Sequence, residues 1–209
     1  MAEAFLDPSK PITTCSAKTC SDCPVSTEVH CHFHARDLRT FLLIMLPVFF
    51  IGGTGIWLVS PWWLAPWLLA MVSYFGFAEI RVMCSHCPHY AEPGKGLQCW
   101  ANYGSPRLWK YRPGPMSRGE TIVFLAGLSI VLGYPIVFLA LAARWLLLAA
   151  YLLTAIGWYA SLRRSYCSEC MNFACPLNIV RDDIRIEFFK RNPDVAHAWE
   201  KIRDEASAG

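Results

Sequence analysis

The 209-residue chain is short of charge. Only 17% of its residues are Asp, Glu, Lys or Arg, where an ordinary soluble domain carries about a quarter. The shortage is concentrated. No charged residue occurs from Thr40 to Ala78, from Thr121 to Ala143, or from Trp145 to Leu162. A helix of a soluble bundle needs a polar face, and these stretches have none. They also lack histidine, so a bis-histidine haem would find no ligands inside them. Ion and proton carriers place ionisable groups at mid-membrane, and none is available here. The first apolar run starts near residue 40, too late for a cleavable signal peptide. No serine–histidine–acid arrangement, phosphate loop, HExxH helix or dinucleotide fingerprint stands out. A formal charge of +3 is too modest to argue for nucleic acid.

What remains is apolar residues and thiols. The chain is 55% hydrophobic and holds ten cysteines. A bilayer core needs about 20 apolar residues of helix. The charge-free stretches supply four, read as 40–59, 62–82, 120–142 and 145–163. The turns at Ser60-Pro61 and Ala143-Arg144 are very short, so the spans pair as antiparallel hairpins. Trp57, Trp62, Trp63 and Trp67 crowd the first turn and Trp145 follows the second, at the level where indoles favour headgroups. Pro47, Pro66 and Pro135 fall inside spans, where neighbours can satisfy the freed backbone. Gly52, Gly53 and Gly55 allow close helix approach.

An even number of spans puts both termini and the loop 83–119 on one side. That side carries Arg36, Arg39, Arg81, Arg107, Lys110, Arg112, Arg118, Arg163 and Arg164 near the spans, against Arg144 alone on the other. The positive-inside rule makes it the cytoplasm. The expected fold is therefore an all-α integral membrane protein of the cell (inner) membrane. It has four transmembrane helices as two hairpins, with both termini in a small cysteine-rich cytoplasmic cap. Its parts are an N-terminal Cys/His-rich segment 1–39, hairpin 40–82, loop 83–119, hairpin 120–164 and helical tail 165–209.

All ten cysteines fall on that side. They sort into Cys15, Cys20 and Cys23; Cys84, Cys87 and Cys99; Cys167, Cys170 and Cys175; and Cys31. The cytosol is reducing, so clustered thiols there point to metal ligation or thiol chemistry before disulfides. Cys20-Ser-Asp-Cys23, Cys84-Ser-His-Cys87 and Cys167-Ser-Glu-Cys170 repeat one pattern, whose two sulfurs can converge on one ion or cluster. Each triad also has a Cys-Pro step, at Pro24, Pro88 and Pro176. Each hairpin ends in arginine and then, within three residues, the same motif, which suggests two related units.

Three thiolates do not complete a tetrahedral site. Cys31 is a natural fourth ligand for the first triad; the third triad has no nearby histidine and would need His197 or Cys31 to reach it, and the ten cysteines could also pool into two four-cysteine sites with two to spare. His30, His32 and His34 flank it in alternation, and His86 and His89 lie beside the second triad. For a single histidine the plain surface role is the stronger reading, with His30 and His89 the exceptions. The expected metal ligands are thus the ten cysteines with His30 and His89. An iron–sulfur cluster ranks slightly ahead of zinc, and free dithiols third.

Three functions follow as expectations. The first is electron transfer at the cytoplasmic membrane surface, with a quinone or partner subunit as redox partner. The second is a structural zinc protein serving as a docking or assembly subunit. The third is a CxxC thiol or metal-handling enzyme. The aromatic and basic residues of 100–118 read as contacts to anionic headgroups. Glu79 with Arg81 reads as a pair marking the interface. Ser117 stands where it caps the third span. Val180, Ile184 and Phe188 predict an amphipathic helix, and Asn192-Pro193 starts another.

Overall fold

The computed structural model describes residues 7–207. Expectations for the first six residues and the last two lie outside the described part. The described chain is helical, with no strand beyond an isolated bridge between Gly96 and Pro106. Its elements are α1 (Ala35–Val59), α2 (Leu64–Ser73), α3 (Glu79–Val82), α4 (Arg118–Leu141), α5 (Trp145–Leu162), α6 (Asp182–Arg191) and α7 (Pro193–Ser207). A π-helical turn, Tyr74–Ala78, joins α2 to α3 without a break. Four helical stretches are long and apolar enough to cross a membrane: Ala35–Val59, Pro61–His86, Arg118–Leu141 and Trp145–Cys167. Four such helices mark a multi-pass membrane protein. α1 begins at Ala35, before the apolar run, because Arg36, Asp37 and Arg39 extend it by a polar turn.

The outer faces of these helices are apolar. Leu146 is 85% exposed, Leu153 72%, and Leu43 and Phe50 69% each. Such a surface suits lipid and not water. Inside, α1 lies chiefly against α5 and α4 and only lightly against α2. Small residues permit the approach. A Cβ on Gly55 would stand 2.7 Å from Leu139, and one on Gly127 would collide with the Tyr74 ring.

Pro135 has no N–H to give to the carbonyl one turn earlier. That carbonyl, on Val131, accepts instead from the Trp67 indole at 2.9 Å. The neighbouring Leu132 carbonyl takes the Tyr151 hydroxyl at 2.8 Å. A proline inside a span thus becomes two cross-helix hydrogen bonds. The α4–α5 turn closes with Ala143 in the left-handed region at φ 53° and Arg144 N–H donating to the Leu139 carbonyl at 2.9 Å, a helix stop that usually employs glycine. At the other end of α4, Ser117 and Glu120 form a capping box, as the sequence led us to expect.

Beyond the helix ends, three segments interlock. Thr13 gives its N–H to Glu92 at 2.7 Å, and the Thr14 hydroxyl donates to Asn192 at 2.8 Å. His30 N–H reaches the Glu169 carbonyl at 2.7 Å. Ile12, Val25 and Val29 of the N-terminal segment share a core with Cys87, Met171, Phe173, Val180 and Phe188. The amphipathic stripe of α6 faces this core.

Candidate functional site

The three Cys-Pro steps have one local structure. In each, the cysteine carbonyl accepts from the N–H three residues on: Ser26 at 3.2 Å, Tyr90 at 2.8 Å and Asn178 at 3.0 Å. Proline occupies the second position of these turns, where its fixed φ is favourable. Cys20 and Cys84 are closed onto Cys23 and Cys87 by the same bond, at 3.2 and 2.9 Å. The third motif enters differently. A π-helical turn, Arg163–Cys167, carries α5 straight into Cys167. Each hairpin's second helix therefore contains one widened turn near its thiol end, a feature that often accompanies functional sites.

The cysteines form two gatherings. Cys84, Cys87, Cys99, Cys167, Cys170 and Cys175 line one cavity of about 140 Å³. The electrostatic contacts cross between motifs: Cys170 senses Cys87 and Cys99, and Cys87 senses Cys175. Burial pushes the thiols of Cys87 and Cys170 well above their ordinary range and that of Cys175 up to about 12. Cys99, Cys167, Cys170 and Cys175 are half-buried, and Cys84 and Cys87 are buried. The Asn102 amide donates to Cys84 Sγ at 3.3 Å. Cys15, Cys20, Cys23 and Cys31 make the second gathering. All four are half-buried, and Cys31 senses the other three. Burial pushes Cys31 up to about 12. Cys87 also senses Cys31, so it lies between the two gatherings.

Among the described residues, no three His, Cys, Asp or Glu side chains are set at metal-holding positions. The thiols wall shared spaces and do not point at one centre. The histidines behave unequally. His30 Nε2 faces Glu169 at 2.8 Å and Nδ1 faces Asp37 at 3.5 Å, so both ring nitrogens are turned to carboxylates. His89 lines the cavity. Backbone groups of Cys31 and His30 lie against its ring, and burial pushes it down to about 3, which keeps it neutral.

The inner wall of the cavity comes from the membrane helices, each giving side chains four residues apart. These are Phe41 and Met45 of α1, Phe124 and Leu128 of α4, and Trp158 and Leu162 of α5. Phe75 and Glu79 are the equivalent pair on the second span. Residues i and i+4 share a helix face, so the four helices turn one stripe each toward the same space.

Glu79 corrects an expectation. It is not an interface partner of Arg81. Arg81 faces Glu120 at 3.6 Å, and Glu120 is held by Arg112 at 2.6 Å. Glu79 is buried on the cavity wall, and its Oε2 has no hydrogen-bond partner among the described residues. The 100–118 loop is corrected in part as well. Trp100 lies tilted against Tyr166, ring centres 4.6 Å apart, and Arg112 donates to the Arg81 carbonyl at 2.8 Å. Both side chains make contacts within the protein.

Sequence reasoning missed Glu79, Asn102, Trp158 and Asn172 as cavity residues. The signal for Glu79 was present in the spacing Phe75, Glu79, Met83, a continuous stripe ending beside Cys84. Comparison with known proteins finds no matching family model, no matching curated protein and no matching solved structure.

Proposed function

We propose that this is an integral membrane metal–thiolate protein that binds iron–sulfur and transfers electrons at the cytoplasmic membrane surface. Its partners on this reading are a soluble one-electron donor and a quinone or a partner subunit. The single observation that carries the proposal is the convergence of six cysteines, from segments some 80 residues apart, on one cavity at the end of four apolar helices. A donor set of six thiols with amide support suits iron–sulfur ligation. Cys84, Cys87, Cys99, Cys167, Cys170 and Cys175 would hold the group there, which supplies one-electron chemistry when bound. The protein's part is a dry wall of aromatic and aliphatic side chains and the Asn102 donor at Cys84, both of which tune potential. The excess of basic residues at the thiol end supports a cytoplasmic location for that end, at the cell (inner) membrane.

The N-terminal gathering favours a second reading for itself alone. Four thiols are the number a structural zinc site needs, and Cys15, Cys23 and Cys31 pack on the core that joins the N-terminal segment to α6. That arrangement suits structural zinc, which would fix the cap.

Anaerobic purification tests the proposal. We expect visible absorbance, iron and acid-labile sulfide. Zinc alone, with no redox signal, rejects electron transfer and leaves the structural reading.

A further inference from the structure

Glu79 is an expensive choice for its place. It is 9% exposed on an apolar and aromatic wall, where a carboxyl group costs free energy unless it is bonded. Trp158 Nε1 and Asn172 Oδ1 border the same cavity without partners among the described residues. Glu79 differs from them, because its carboxylate accepts from the Asn102 side chain. The Asn102 amide nitrogen also donates to Cys84 Sγ at 3.3 Å. One amide thus touches an acid near the end of the second span and a thiol five residues further along the chain.

The backbone fixes where Asn102 stands but not which way its amide faces. Asn102 and Cys99 share a closed loop. The Leu97 N–H donates to the Ser105 carbonyl and the Gly104 N–H to the Leu97 carbonyl, both at 2.8 Å. Gly104 supplies the positive φ of 80° that the turn requires. Tyr103 stacks on Phe33, ring centres 4.7 Å apart, and ties the loop to the N-terminal segment. The amide itself has two unlike ends. Its oxygen accepts, its nitrogen donates twice, and a half-turn exchanges them. Oxygen toward Cys84 would oppose a thiolate, whereas nitrogen supports one. The Glu79 carboxylate and Cys84 Sγ are both acceptors, so only the nitrogen fits between them. Glu79 also lies within electrostatic reach of Cys84, Cys99 and Cys175.

We propose that Glu79 is a positioning residue: its carboxylate takes one hydrogen of the Asn102 amide and thereby holds the other on Cys84 Sγ. The consequence for electron transfer rests on the function proposed above. A donor at a ligating sulfur favours the reduced, more negative state and so raises the potential. The relay from Glu79 through Asn102 to Cys84 itself needs no metal.

A double-mutant cycle tests it. Glu79→Gln keeps an acceptor oxygen and Glu79→Leu does not, while neither carries charge, so comparing them separates the acceptor from the charge. Each is made with Asn102 present and with Asn102→Leu, in the full chain in lipid nanodiscs. In metal-stripped protein at one pH, iodoacetamide should alkylate Cys84 about fivefold more slowly in Glu79→Leu than in Glu79→Gln, because the donor that supports the thiolate has turned away. With Asn102→Leu the two rates, read by mass spectrometry, coincide. In anaerobically prepared protein the same pair differs by about 40 mV in midpoint potential, a fivefold change for one electron. Glu79→Leu is the lower, and the gap again closes without Asn102. Equal rates in the Asn102 background overturn the positioning role. So does a difference that persists with Asn102→Leu, the mark of a general packing defect. Iron and sulfide are assayed on the same preparations. Protein without iron rejects the electron-transfer reading and leaves the alkylation cycle to decide the relay. Iron with unequal rates but equal potentials overturns the relay's consequence for electron transfer.

Discussion

The two gatherings of thiols differ in setting more than in composition. Cys15, Cys20, Cys23 and Cys31 come from one short stretch of chain and are half-buried on a small aqueous-side core. The six cavity thiols come from two segments brought together by the packing of four helices, and Cys84 and Cys87 are buried. The first gathering needs only local turns and an anchored segment. The second needs the whole bundle. Proximity in sequence thus made the first legible, while tertiary packing alone assembled the second.

That contrast can be broken by substitution. The largest effect is expected from serine at Cys84 or Cys170. Either change removes most of the visible absorbance of anaerobically prepared protein, because both thiols serve one space. Cys20→Ser leaves that absorbance largely intact and releases zinc. If Cys20→Ser bleaches the protein as fully as Cys84→Ser, the gatherings are not separate.

Asn192→Ala comes next. Its side chain, 2% exposed, accepts from Thr14 and donates to the Phe188 carbonyl at 2.8 Å. Losing both bonds costs about 2–3 kcal/mol. Limited proteolysis should then cut the N-terminal segment first while the helices persist, since only the first gathering depends on this clasp. Gly127→Leu acts on the other side of the comparison. The added side chain has no room beside Tyr74, and overpacking costs about 1–3 kcal/mol. Thermal unfolding in detergent should show the bundle loosened and the cavity absorbance lost at lower temperature.

Accessibility sharpens the difference further. In metal-stripped but folded protein, Cys15 and Cys23 should react with iodoacetamide about tenfold faster than Cys87 and Cys170, whose buried thiols ionise reluctantly. Equal rates, read by mass spectrometry, would erase the distinction between rim and interior. The smallest effect is Ala143→Gly. The turn holds Ala143 at φ 53°, and glycine relieves about 1 kcal/mol there. A rise in unfolding temperature with no change at either gathering is expected.

Much of the fold was written in the pattern of missing charge. Three charge-free stretches, the first divided at Ser60-Pro61, became the four long apolar helices, the Ser117-x-x-Glu120 sequence became a capping box, and Ile184 and Phe188 of the predicted stripe lie on α6, which starts just after Val180. The site was only half visible. Thiol spacing identified the cysteines and suggested Cys31 as the companion of the first triad. It could not pair the second triad with the third, because that requires knowing how α1 packs between α4 and α5. Glu79 was misread because one acid beside an arginine near a span end resembles an interface pair. Its inward direction is set by helical phase, through Phe75 and Met83, and not by the nearest opposite charge. Trp158 and Asn172 carry no local signal. Their unpartnered atoms exist only once the bundle has closed.

Iron-edge X-ray absorption on anaerobically prepared wild type and a Cys84→Ser/Cys170→Ser variant tests the central claim most directly. The account predicts sulfur neighbours around iron in the wild type and loss of most of that iron in the variant. Wild type without iron, or iron with only nitrogen and oxygen neighbours, would contradict it.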